Sequence, residues 1–309
     1  MVQLVGEEGQ ADGGSADAGA PDTDAAANEA EAKAVFDKGA AAYEAGDFAH
    51  AADFFARAFD IDPRPGILFS QGQALRRLGG RRDEALRCYE DYLASGHGKR
   101  DTEAKQYVAE LQVPPSTDDL ERDTSAGKAI FENGAARYER GDFAHAYDEF
   151  SRAWELTQRP GLLFSRAQAL RRLGGRREEA IDLYQAYIDS GETNRAAEAR
   201  QFITDLSAPV PTGDLEKDTA AGKSIFDRGA ALYERGDFAH AYDEFSRSWE
   251  LTQRPGLQFS RAQALRRLGG RTDEAIELYQ AYIDSGETNR ATEASSFIQQ
   301  LESMGAAPR

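Results

Sequence analysis

The sequence predicts an all-α protein, an α-solenoid of stacked antiparallel helix hairpins with about five helices in each of three units. Three observations carry that prediction. A 95-residue text is written three times, apolar residues recur within it at helical spacing, and no segment sustains period-two alternation. The stretch QALRRLGGR stands at Gln73–Arg81 and returns unchanged at Gln168–Arg176 and Gln263–Arg271. Between Tyr138–Ala196 and Tyr233–Ala291 only five of 59 positions differ: Ala153/Ser248, Leu163/Gln258, Arg177/Thr272, Glu178/Asp273 and Asp182/Glu277. Copy one has drifted further, with Phe54 against Glu149 and Pro63 against Gln158, so what it shares with the others is the better guide.

In copy one the first helix is expected over about 32–45, with Phe36, Gly39, Ala40 and Tyr43 on one face. Gly46 then supplies a left-handed stop and Asp47 an N-cap for the second helix. That helix carries Phe48, Ala51, Phe55, Ala58 and Phe59 and stops around Pro63 and Pro65. A third carries Leu68, Phe69, Gly72, Leu75 and Leu78 and ends at Gly79-Gly80, and a fourth carries Ala85, Leu86, Tyr89, Tyr92 and Leu93 and ends at Ser95-Gly96. A fifth is marked by Ala104, Tyr107, Val108 and Leu111, matched by Ala199, Phe202, Ile203 and Leu206 and by Ala294, Phe297, Ile298 and Leu301. Trp154 and Trp249, against Phe59, read as core aromatics, and Cys88, against Leu183 and Leu278, as a small core residue.

The run FDKGAAAYEAGDFAHAADFFARAFDIDP, Phe36–Pro63, resembles a tetratricopeptide repeat. The small residue of the family's first helix matches Gly39, its turn matches Gly46-Asp47-Phe48, and its second helix matches Ala51, Phe55 and Ala58, with Pro63 as the closing proline. Val35 stands where the family has tryptophan, and Gln158 and Gln253 replace the closing proline in the other copies. The hairpin Pro65–Ser95 is a looser match, and the resemblance spans roughly residues 32–301. Physical logic agrees with it: a hairpin leaves one apolar face uncovered, so neighbours must stack. The polar Ser295, Ser296, Gln299 and Gln300 then suit the outer side of a terminal cap.

The chain divides into an acidic tail (1–30), units at 31–112, 118–207 and 213–303, proline-rich linkers at 113–117 and 208–212, and a C-terminal tail (304–309). Prolines stiffen the linkers, which leaves continuous stacking and semi-rigid beads both open. The first 32 residues hold eight acids and no lysine or arginine, and are too poor in large apolar groups to offset chain entropy. MVQLVGEEGQ lacks a basic n-region, and nothing approaches about 18 consecutive apolar residues, so neither a secretory signal nor membrane insertion is expected. The cytoplasm is the default compartment, with leaderless export left open.

The repeated arginines admit two accounts. Arg76 and Arg77 fall in the last turn of a helix, where cations complement the carbonyl end, and Glu44, Glu139 and Glu234 stand one hairpin away as pairing acids. The resemblance implies the second account, in which the first helix of each hairpin lines a groove for a partner's segment. Ser70, Gln73, Arg76 and Arg77 would face it, with Ser165, Gln168, Arg171 and Arg172 and Ser260, Gln263, Arg266 and Arg267 in the other copies. Arginine forks suit a protein or peptide with acidic residues. The family's lysine and asparagine clamp for chaperone C-termini is not matched, since Phe36, Asp37 and Ala40, then Phe131, Glu132 and Ala135, occupy the corresponding helices.

No nucleophile, base and orienter can be assembled, so the expectation is a non-catalytic interaction scaffold without cofactor or metal. Isolated His50, His145 and His240 in GDFAHA do not make a zinc site, and His97 stands alone. Alternatives are a structural component or cargo of a bacterial secretion machine, and an anion or nucleic-acid binder through the arginine clusters. A net charge of −17 argues against the last. Oligomeric state is left open.

Overall fold

Each unit folds as five helices whose breaks follow local chemistry. The computed structural model describes residues 23–96, 98–114, 117 and 120–303. Unit 1 comprises α1 (Thr23–Glu44), α2 (Phe48–Ile61), α3 (Pro65–Leu78), α4 (Arg82–Ala94) and α5 (Asp101–Leu111). Unit 2 comprises α6 (Leu120–Glu139), α7 (Phe143–Thr157), α8 (Gly161–Leu173), α9 (Arg177–Asp189) and α10 (Ala196–Leu206). Unit 3 comprises α11 (Leu215–Glu234), α12 (Phe238–Thr252), α13 (Gly256–Leu268), α14 (Thr272–Asp284) and α15 (Ala291–Ser303). No strand occurs among the described residues.

The carboxylate of Asp47 accepts the His50 N–H at the start of α2, as its N-cap position predicts. In copies two and three, where the closing proline is missing, Gln158 and Gln253 end their helices in the left-handed region, at φ 51° and 50°. One boundary differs from expectation. Helix α1 begins at Thr23, so it takes in residues 23–30 that were assigned to the acidic tail. The stretch TDAAANEAEAKA is rich in alanine and glutamate, the best helix formers, and Glu29 pairs with Arg64 at 2.7 Å. Residues 1–22, His97, Pro115, Ser116, Asp118, Asp119 and the tail 304–309 lie outside the described residues.

Small residues set the helix crossings. A Cβ on Gly39 would lie 2.8 Å from the Phe55 ring, and Gly134 and Gly229 stand in the same relation to Phe150 and Phe245 at 2.7 and 2.8 Å. Only glycine lets these helices approach so closely. The second hairpin of each unit closes over an aromatic cluster: Phe69, Tyr89, Tyr92 and Tyr107, then Phe164, Tyr184, Tyr187 and Phe202, then Phe259, Tyr279, Tyr282 and Phe297. Burying one such side chain stabilises by about 1.5–3 kcal/mol.

The hairpins do not run on as an open array. The Gly79-Gly80 loop of unit 1 docks on the start of α7, the Gly174-Gly175 loop of unit 2 on the start of α12, and the Gly269-Gly270 loop of unit 3 on the start of α2. The third docking returns to the first unit, so the solenoid closes on itself as a ring of three. Arg57 on α2 donates to the carbonyls of Leu301 and Glu302 at the end of α15, where cations are favoured. The exposed Ser295, Ser296, Gln299 and Gln300 face solvent on α15, yet that helix ends against unit 1.

Candidate protein-interaction site

The nonapeptide that ends α3, α8 and α13 presents three kinds of arginine. Consecutive helical residues point about 100° apart, so Arg76 and Arg77 part company. The Arg76 guanidinium lies 4.1 Å over the Tyr107 ring, Arg171 4.1 Å over Phe202, and Arg266 4.2 Å over Phe297. These are half-buried and held inside their own unit by the fifth helix. Arg76 has Glu110 as its acid, at 3.6 Å, in place of the expected Glu44.

Arg77, Arg172 and Arg267 are exposed. Their guanidinium carbons lie 5.1, 5.0 and 5.0 Å over Phe48, Phe143 and Phe238, the aromatic of each Gly-Asp-Phe turn. Among the described residues no carboxylate pairs with any of the three. Their equivalence follows from the unchanged nonapeptide in each copy, on a chain of net charge −17.

The remaining predicted groove residues divide. Ser70 and Gln73 are buried: the Ser70 hydroxyl bonds the Gly66 carbonyl, and the Gln73 amide reaches Glu103 at 3.5 Å. Ser165, Gln168, Ser260 and Gln263 are half-buried, with Ser165 and Ser260 bonded back to Gly161 and Gly256 and Gln263 accepting from Arg266. Burial in unit 1 therefore takes Ser70 and Gln73 away from a partner's reach.

The third arginine of the nonapeptide was not singled out by the sequence, and it holds the ring. Arg176 donates to the carbonyl of Gly80 at 2.8 Å, Arg271 to Gly175 at 2.7 Å, and Arg81 to Gly270 at 3.1 Å. The amides of the same glycines donate to Asp148, Asp243 and Asp53 at 2.8, 2.8 and 2.9 Å. Burial pushes the Asp148 and Asp243 carboxyls up to about 6, against the lowering effect of these amides, and raises Asp53 as well.

The histidines of GDFAHA complete each joint. His145 faces Asp142 through Nδ1 at 2.7 Å and the carbonyl of Arg76 through Nε2 at 3.2 Å; His240 and His50 face Arg171 and Arg266 in the same way, each at 3.4 Å. Their recurrence one turn into α2, α7 and α12 was the only sequence signal for this role. Among the described residues no group of three or more metal-ligating side chains converges, and no helix is long and apolar enough to cross a membrane.

Residues 257–285 match the tetratricopeptide repeat family, within the hairpin α13–α14. No curated protein matches the chain. Among solved structures, the TPR2AB-domain:pHSP90 complex of yeast Sti1 is 16% identical, with a TM-score of 0.23, over 89% of this chain and 98% of that one. The TPR domain of P58(IPK) is 16% identical, with a TM-score of 0.25, over 88% and 98%. A tetratricopeptide repeat protein from Parabacteroides merdae is 14% identical, with a TM-score of 0.22, over 89% and 99%.

Proposed function

We propose that this chain is a tetratricopeptide repeat protein acting as a non-catalytic interaction scaffold that captures acidic segments of a protein partner at Arg77, Arg172 and Arg267. The observation that carries the reading is their state: exposed, braced over an aromatic ring, and without a carboxylate. A guanidinium in this setting keeps its donors free for a carboxylate fork while the ring limits the entropy lost on binding. Arg76, Arg171 and Arg266 stand one residue away and add positive potential without needing to touch the partner. The half-buried Gln168 and Gln263 are available to a peptide backbone in units 2 and 3 only.

A fluorescent Asp/Glu-rich peptide library tests the reading. Binding by the intact chain should weaken with rising salt, and Arg77→Glu with Arg172→Glu and Arg267→Glu should abolish it while the helical circular dichroism is unchanged. Undiminished capture by the triple variant would remove these arginines from the site. Capture of duplex DNA in preference to the peptides would favour the anion reading instead.

A further inference from the structure

We infer that the ring has one designated opening, the joint between unit 3 and unit 1, and that the chain exchanges there between a closed ring and an open arc. The inference does not rest on the proposed scaffold function. All three joints share the glycine amide to aspartate bond, the arginine to glycine carbonyl bond and the histidine contact. They differ in what supports those bonds.

At the joint of units 1 and 2, Arg82 is buried and bridges to Glu155 at 2.6 Å; at the joint of units 2 and 3, buried Arg177 bridges to Glu250. The third joint has Thr272 in the arginine's place, and its hydroxyl bonds Asp53 instead. The clamping arginines also differ. Arg176 rests 4.7 Å over Tyr147 and Arg271 4.6 Å over Tyr242, but the position equivalent to these tyrosines in unit 1 is Ala52, so Arg81 has no ring beneath it. Gly80 and Gly175 are buried, whereas Gly270 is half-buried. Arg57, with two carbonyls of α15 against one each for Arg152 and Arg247, offsets part of this difference.

The chain itself supplies the larger distinction. Units 1 and 2, and units 2 and 3, are joined by short linkers, which hold the two faces of a parted joint at high effective concentration. No peptide joins unit 3 back to unit 1, so parting that joint releases the most conformational freedom. The one substitution that removes a bridging arginine, Arg177 to Thr272, falls at the untethered joint.

Hydrogen exchange at the three equivalent amides tests this in the intact protein. Gly80, Gly175 and Gly270 each follow a glycine and precede an arginine, so their intrinsic exchange chemistry is the same. Read by NMR at one pH, Gly270 should exchange at least about ten-fold faster than both others, as expected for a local opening of lower free energy. Thr272→Arg with Asp60→Glu, which rebuilds the bridge of the other joints, should slow Gly270 by several-fold and leave Gly80 unchanged. Exchange at Gly270 within about three-fold of the others, or slower, would overturn the inference, as would an equal response of all three amides to the double variant.

Discussion

The imidazole of His145 turns its Nε2 to the carbonyl oxygen of Arg76, 3.2 Å away and one unit earlier in the chain, while its ring covers the face of Gly79. A Cβ at Gly79 would lie 3.0 Å from three of the ring carbons, and the same holds for Gly174 and His240. Helix end, histidine and glycine thus form one joint, and its chemistry is repeated wherever the units meet.

Replacing the joint glycine should cost more than replacing a helix-ending glycine in open space. Gly174 and Gly191 have φ of 74° and 82°, but only Gly174 faces another unit. Gly191→Ala should destabilise by about 1–2 kcal/mol, the cost of a left-handed non-glycine residue. Gly174→Ala should cost about 1–2 kcal/mol more, because its ψ of 168° lies in a region essentially reserved for glycine and an added Cβ would overpack against His240. Urea unfolding of the two variants decides; equal losses would mean that the joint yields freely.

The buried joint aspartates give stability a pH dependence of defined sign. Asp148 and Asp243 have carboxyls raised to about 6 by burial, from an ordinary value of 3.8. The folded state therefore holds their protons more tightly, and their contribution is complete below about 3.8 and lost as pH rises through about 6. Asp148→Asn with Asp243→Asn removes this contribution to the slope. Between pH 5 and pH 8 the variant should lose about 1 kcal/mol less per carboxylate than the unmodified chain. Parallel stability curves would show that these carboxyls titrate normally.

The paired arginines should separate in stability. Arg171 is half-buried against Phe202, so Arg171→Ala loses both a cation–π contact and packing of the side-chain stem, about 1–2 kcal/mol. Arg172 is exposed, and Arg172→Ala should cost less than about 1 kcal/mol. Thermal melts in the same buffer compare them directly, and a larger loss at Arg172 would reverse the assignment of a structural and a free member.

Much of this was legible residue by residue. Gly46 and Asp47 announced a stop and a cap because both act through their own backbone and a neighbour three residues on. Alternation of small and aromatic residues announced the crossings at Gly39 and Phe55 for the same reason. The start of α1 was misplaced because weak amphipathicity hid a stretch whose helicity comes from propensity alone. Of the twelve groove residues, Ser70 and Gln73 could not be told from their more exposed counterparts, since burial depends on how the helices pack and the residue types are the same in each copy.

By itself the sequence determined the three-fold repetition, the five helices of each unit and the two arginines at each third helix's end, because these follow from local preference and a period read directly in the text. Only the tertiary structure decided that the units close into a ring, that His50, His145 and His240 belong to its joints, and which arginine of each pair is free. Those outcomes depend on the angle between successive units. That angle sums small packing choices over the whole chain, and no single residue records it.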